Sequence, residues 1–231
     1  MIVPRSFRPA AVVFDLDGTL ADNMPWHAQA FDRFVARHGL PPITMAMRRR
    51  IDGKRNTEIM PILFERDMTP AEIEAHEDEK EGTYRELSRG GLRVTTGAVH
   101  LLDRLAAHGI PAAVATSAPA PNVVHTLDEL GLRHRFAVIV RSDEVVHGKP
   151  APDVYLRAAE RLGVDPAACL AFEDAPVGVA AAVSAGMRCL AITTTFPVDA
   201  FMSAPLPPHG TCADFEAYLA DEGGWLVDTL G

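Results

Sequence analysis

The sequence predicts an α/β fold: a doubly wound parallel sheet, interrupted once by an inserted α-helical segment. Three observations predict it. From about Gly97 onward, short apolar runs alternate with helix-length amphipathic segments. Most of those helical segments stop at a glycine. One further apolar run, over residues 10–16, stands apart near the start of the chain and is followed by a long stretch that carries helical patterns alone. Single helices between successive short strands require crossovers, which are right-handed and make the strands parallel.

The first strand is the run 10–16. A helix over 25–38 then brings Trp26, Ala30, Phe31, Phe34 and Val35 near one face and stops at Gly39. Helical patterns follow at about 56–64 and 69–87. The second of these begins with Thr69-Pro70-Ala71-Glu72, a capping-box spacing with proline at the first helical position. Arg89-Gly90-Gly91 marks a flexible return. Beyond it, helix 98–108 is closed by Gly109, strand 111–116 leads to helix 122–130 before Gly131, and strand 137–140 leads to helix 152–162 before Gly163. Strand 169–172, helix 176–185 before Gly186 and strand 189–193 complete the regular part. The proline-rich stretch 197–210 receives no element, and a short helix is expected near 213–219. The expected organisation is a core made of residues 1–20 and 93–231, with residues 21–92 inserted as a separate helical unit.

Composition narrows the function classes. With 231 residues, 48% of them hydrophobic, the chain can bury a full core as one large domain or as a domain plus an insert. No stretch approaches the roughly 18 unbroken apolar residues of a membrane span, and Pro4 and a short apolar run do not resemble a signal peptide, so a cytoplasmic protein without membrane contact is expected. A formal charge of −9 argues against binding nucleic acid, because phosphate backbones are held by clustered Lys and Arg. An anionic ligand must therefore meet local positive charge. Cys169, Cys189 and Cys212 are odd in number, lack metal-ligand spacing and read as packing residues.

The first strand runs into Phe14-Asp15-Leu16-Asp17-Gly18-Thr19-Leu20. Side chains alternate along an extended chain, so Asp15 and Asp17 face the same side with alpha carbons about 6 to 7 Å apart. Two close carboxylates repel unless a cation lies between them or one takes up a proton, and both outcomes serve phosphoryl transfer. A calcium loop would need its glycine at the sixth position and a Glu at the twelfth, and a hairpin at Asp17-Gly18 would need a second strand where a helical pattern stands.

Three later motifs fall at the ends of successive strands: Ala115-Thr116-Ser117, Gly148-Lys149-Pro150-Ala151-Pro152-Asp153 and Phe172-Glu173-Asp174-Ala175. Together with the Asp15 motif, in this order over residues 10–195, they resemble the haloacid dehalogenase superfamily, specifically the helical-cap branch that includes β-phosphoglucomutase and small sugar phosphatases. The resemblance implies a Rossmann-like core with a helical cap and a Mg²⁺-dependent phosphatase that works through an aspartyl-phosphate. It implies Asp15 as nucleophile, Asp17 as acid/base, and Thr116 and Lys149 as contacts to the phosphoryl group. It also implies a magnesium ion held by Asp15, the Asp17 backbone and Asp174, with Glu173 acting through water. Considered alone, Thr116 is equally a turn residue, Lys149 a solvated lysine, and Glu173-Asp174 an acidic helix start.

Specificity is expected in the insert. His27 resembles the linker histidine of the family, and the basic stretch Arg48-Arg49-Arg50-Ile51-Asp52-Gly53-Lys54-Arg55-Asn56 offers Lys54, Arg55 and Asn56, with Ser117 from the core, as substrate contacts. Arg48 and Arg49, and the acidic run 72–81, read as solvated helix faces. Where the mutase supplies Ser-Lys-Asn for a distal phosphate, this chain has Ala118-Pro119-Ala120, and Asn56 stands where the mutase has Arg. The expected activity is hydrolysis of a small phosphorylated metabolite, a sugar or polyol phosphate. A mutase and a catalytically idle binding protein are the alternatives, and the expected state is a monomer or weak homodimer.

Overall fold

The computed structural model describes residues 7–220; the ends of the expected core, 1–6 and 221–231, lie outside the described residues. Six parallel strands form one sheet in the order β3-β2-β1-β4-β5-β6. They are β1 (Ala11–Phe14), β2 (Ala112–Thr116), β3 (Val138–Arg141), β4 (Cys169–Glu173), β5 (Arg188–Ile192) and β6 (Gly210–Cys212). The chain builds outward from β1 through β2 to β3, then returns to β4 on the other side of β1. The carboxyl ends of β1 and β4 therefore flank the point where the winding reverses, and ligands of open parallel sheets sit beyond such a point.

The two faces of the sheet differ in side-chain size. Val12, Phe14, Val114, Leu170, Phe172, Leu190 and Ile192 project to one face. They pack there with residues of α5 (Ala98–Ala107), α6 (Ala120–Glu129) and α10 (Phe215–Ala220). Phe14 and Phe172, paired in register, stack at 5.4 Å, and Phe215 meets both edge-on. The opposite face is built from Ala11, Val13, Ala113, Ala115, Ala171, Cys189 and Ala191. Such small residues let the alanine-rich surfaces of α7 (Asp153–Leu162) and α8 (Pro176–Ser184) come close. Alternation along each strand thus sends bulky and small residues to separate layers.

Four consecutive helices follow β1: α1 (Met24–Arg37), α2 (Met45–Ile51), α3 (Asn56–Phe64) and α4 (Pro70–Ser88). Phe31, Phe34, Val35, Ile51, Ile59, Met60 and Leu63 form a separate apolar cluster among them. The Thr69–Glu72 capping box that starts α4 is formed, with both reciprocal bonds present.

Three expectations need correction. His27, not Trp26, belongs to the buried face of α1. Helix α2 arises where only a basic stretch was visible: seven residues with one buried side chain, Ile51, carry too little periodicity to register, and Thr44 caps them by accepting from the Met47 amide. The proline-rich stretch also holds α9 (Val198–Met202) and β6, because Pro197 only starts a helix and Gly210 adds a short edge strand to β5.

Candidate active site

Strand β1 ends at Phe14, and its hydrogen bonding continues one residue further, where the Asp15 amide donates to the Phe172 carbonyl. This ties the Asp15 side chain to the end of β4, from which Glu173 and Asp174 emerge. Asp15 Oδ1 accepts from Lys149 Nζ at 2.5 Å, and the same ammonium donates to Glu173 Oε1 at 2.6 Å and to the Ala115 carbonyl at 3.1 Å. All four charged groups are buried, Lys149 only 2% exposed. Burial raises the Asp15 carboxyl to about 7 against the opposing pull of Lys149. Burial alone would depress the Lys149 ammonium, but Asp15 and Glu173 hold it above its ordinary value. Asp174 is pushed well above the usual carboxylate range by burial and by the charges of Asp15 and Glu173.

Glycine is required beside this cluster. Gly18 has a φ of 83°, and a β-carbon there would collide with the Asp174 carboxylate. Thr19 and Thr195 donate to the two Asp174 oxygens. One carboxylate oxygen each from Asp15, Glu173 and Asp174 lie within 4.8 Å of one another, so the cluster is able to hold a metal ion. An all-oxygen, buried, net-negative donor set fits a hard divalent cation. Both Glu173 oxygens already have protein donors: Lys149 and Tyr155 on Oε1, the Asp174 and Ala175 amides on Oε2. Each Glu173 oxygen is thus filled by two donors, whereas each Asp174 oxygen has one and Asp15 Oδ1 has Lys149, so Asp15 and Asp174 are the better placed for direct contact with an ion.

Asp17 faces the insert. Its Oδ1 accepts from Asn23 Nδ2 at 2.6 Å, and Asn23 is fixed in turn by the Gly18 amide and the Tyr84 hydroxyl. The His27 imidazole stacks on Tyr84 at 3.8 Å and brings Nε2 to 3.7 Å from Asp17 Oδ1. Burial pushes the Asp17 carboxyl up, but His27 and Asn23 outweigh it and leave it below its ordinary value. Behind His27 lies Lys80, whose Nζ is 3.2 Å from Nδ1 and 2.9 Å from Glu81 Oε1.

A cleft open to solvent separates this insert face from the sheet. Asp15, Asp17, His27, Lys54, Asn56, Thr116, Ser117, Glu173 and Asp174 line it. Thr116 Oγ1 accepts from the Ala118 amide, a turn contact, while its side chain remains in the lining. Lys54 pairs with Glu58 at 3.0 Å. Two predicted substrate contacts are otherwise engaged. Arg55 is not in the lining; its guanidinium donates to the Val145 and Val146 carbonyls of the core. Ser117 Oγ donates to the Gly53 carbonyl. With Gly53 packed against Ala175 and Val177, these bonds join the loop before α3 to the core.

Sequence reasoning missed Lys80, Glu81, Tyr84 and Asn122 as parts of this network, and the acidic run 72–81 is not uniformly solvated: Glu81 is 4% exposed and Lys80 3%. A signal existed in the run's far end, where Lys80, Glu81, Tyr84 and Ser88 recur at helical spacing and form the buried stripe of α4.

The family model for haloacid dehalogenase-like hydrolase matches residues 9–186. The chain is 36% identical over 182 residues to the fructose-1-phosphate phosphatase YqaB of Escherichia coli (strain K12), covering 78% of this chain and 94% of that one. It is 37% identical over 183 residues to a phosphorylated carbohydrates phosphatase of Thermotoga maritima, covering 77% and 82%. Among solved structures, a HAD hydrolase of family IA, variant 3, from Entamoeba histolytica superposes with a TM-score of 0.82 at 27% identity, over 94% of this chain and 99% of that one. CbbY from Rhodobacter sphaeroides in complex with phosphate gives 0.79 at 27% identity, with the same coverage.

Proposed function

The chain belongs to the haloacid dehalogenase-like hydrolase family, and from this premise we propose that it is a magnesium-dependent phosphatase acting on a sugar or polyol phosphate through an aspartyl-phosphate. The observation that carries the reading is the Asp15–Lys149–Glu173 chain of contacts beside Asp174, all buried at the mouth of the winding reversal.

Lys149 holds Asp15 Oδ1, which leaves Oδ2 to attack phosphorus in line with the ester oxygen. The P–O ester bond breaks, and Asp17 gives its proton to the departing alkoxide. Asp17 then takes a proton from water, whose oxygen attacks the aspartyl-phosphate; inorganic phosphate leaves and Asp15 is regenerated. Lys149 offsets charge on Asp15 and the phosphoryl oxygens throughout, and Thr116 offers its hydroxyl to one of them. Glu173 acts as the partner that aims Lys149. Asp15 and Asp174, with Glu173 behind them, would hold a magnesium ion, which would supply charge stabilisation at the phosphoryl oxygens. Residues 21–92 serve as a cap over the core of 1–20 and 93–231, with His27, Lys54 and Asn56 towards the leaving group and with Arg55 and Ser117 holding cap to core.

Phosphatase rather than mutase follows from the turn after β2. Ala118 and Pro119 line the cleft, and none of Ala118, Pro119 and Ala120 has a side chain able to hold a distal phosphate. The test is phosphate release by the purified protein from a panel of phosphorylated metabolites, with magnesium and with excess chelator. Magnesium-dependent release from sugar or polyol monophosphates is expected; no release from any monoester, or equal release in chelator, overturns the reading.

A further inference from the structure

Asn56, a polar group of the insert's lining, is only 6% exposed. Its Nδ2 donates to Glu81 Oε1 at 2.8 Å, and Asn122 Nδ2 donates to Glu81 Oε2 at 2.7 Å. Asn122 is held from its other end by Arg85, whose Nη1 donates to Oδ1 at 2.6 Å. Glu81 itself is kept ionised: burial pushes its carboxyl up, but Lys80, His27 and Asn56 bring it to about 2. A carboxylate only accepts, so it determines which way each amide turns. The consequence falls on Asn56 Oδ1, which is buried without a protein partner. A buried acceptor left unmade is costly, and this one belongs to a side chain that lines the cleft.

We propose that Asn56 is a specificity-determining residue whose Oδ1, turned by Glu81, accepts a hydrogen bond from a hydroxyl of the leaving group and thereby selects polyhydroxylated monophosphates over bisphosphates. The proposal rests on the phosphatase reading. A phosphate dianion brings only acceptor oxygens and would face the Asn56 oxygen with no donor to offer it. The two lysines that line the cleft do not offset this, since Lys54 is paired with Glu58 and Lys80 with Glu81. A hydroxyl supplies the donor that Oδ1 lacks and brings no charge. Glu81 acts through Asn56 and is a positioning residue.

The test is steady-state kinetics with magnesium on glucitol 6-phosphate, its single-deoxy analogues and glucitol 1,6-bisphosphate. For the wild type, one deoxy analogue should lose about ten- to a hundredfold in kcat/KM, and the bisphosphate should be a poorer substrate than the monophosphate. Asn56→Leu should bring parent and that analogue to within about threefold of each other. Asn56→Arg should raise bisphosphate turnover relative to monophosphate by about tenfold or more, a gain that a damaged fold cannot produce. Glu81→Gln, which lets the Asn56 amide turn over, should shrink the parent-to-deoxy ratio mainly through KM; a merely structural Glu81 would lower both substrates alike and keep the ratio. A ratio retained in Asn56→Leu, or no bisphosphate gain in Asn56→Arg, overturns the inference while leaving the phosphatase reading intact. Hydrolysis of no monoester by the wild type overturns both.

Discussion

Lys149 is the ionic centre of the site: one buried ammonium serves two carboxylates at 2.5 and 2.6 Å, and without it Asp15 and Glu173 would be uncompensated charges. Asp15 and Asp17, two residues apart, have opposite surroundings. Asp15 lies in a buried acidic cluster that raises its carboxyl, whereas Asp17 is held low by Asn23 and His27. As the proposed nucleophile Asp15 needs Lys149 or a bound cation to keep it ionised, and Asp17, as the proposed acid, must first take up a proton. Asp15→Asn is expected to abolish turnover and the covalent intermediate. Asp17→Asn should still phosphorylate on an activated ester but resolve the intermediate at least about a hundredfold more slowly. Rapid-quench detection of phosphoenzyme checks both; normal turnover by Asp15→Asn is the result that sinks the assignment. Asp15, Asp17, Lys149 and Asp174 were legible in the sequence because each lies in a contiguous motif at a strand end. Lys80, Glu81 and Asn122 were not, since their roles arise only when α4 packs against α1 and α6, and nothing local marks a buried Glu on an acidic helix.

Helices with a glycine stop and a strong apolar stripe were readable to within a residue or two, as α5 and α7 illustrate. Short elements whose stability comes from docking, such as α2 and α9, were not. The α4 start carries a sequence signature with a thermodynamic consequence. Glu72 accepts from the Thr69 amide and hydroxyl and pairs with Arg66, which together hold its carboxyl at about 2, below the ordinary 4.5. A depressed folded-state pKa gives stability that is fully present above about 4.5 and is lost as pH falls towards 2. Glu72→Gln should therefore melt below wild type at pH 7, with the gap narrowing steadily between pH 4.5 and 3 and shrinking in high salt. Thr69→Ala should cost about 1 kcal/mol, or about 2–4 °C in Tm. Calorimetry across that pH range checks both variants; a pH-independent gap for Glu72→Gln removes the capping contribution. The loop before α3 gives a second prediction at this scale. The sequence reading expects Arg55 to touch substrate, yet its guanidinium holds the carbonyls of Val145 and Val146. Arg55→Ala should accordingly lower kcat/KM for a sugar phosphate and for a small aryl phosphate by similar factors, because closure is common to both. Paired kinetics decide it: a loss confined to the sugar phosphate returns Arg55 to the substrate.

Across the whole molecule, the sheet divides the work by layer. Its bulky face is filled by phenylalanines and packed under α5 and α10, and its small-residue face takes α7 and α8, so the strand ends near the winding reversal are held rigidly from both sides. The four-helix insert has its own apolar cluster and meets the sheet-bearing part through polar side-chain bonds, among them Arg55 to Val145 and Val146, Ser117 to Gly53, Tyr84 to Thr126, and Glu81 and Arg85 to Asn122. Among the described residues no helix is long and apolar enough to cross a membrane. A substrate with phosphates at both ends would need cation-rich subsites on both sides of the cleft at once. The sheet side has a metal-competent acidic cluster with Lys149 bonded to it, whereas the insert side has the Asn56 acceptor and two lysines already paired with Glu58 and Glu81, and the turn after β2 adds only Ala118 and Pro119. Only one end is equipped for phosphate, so a hexose 1-phosphate should be hydrolysed to hexose and inorganic phosphate without conversion to the 6-phosphate, and added hexose 1,6-bisphosphate should not prime such a conversion. Phosphorus NMR of the reaction with magnesium follows both species directly. Accumulation of 6-phosphate faster than inorganic phosphate would place a second phosphate subsite where the cleft holds carboxylate and amide oxygen, and would reverse the assignment of phosphatase over mutase.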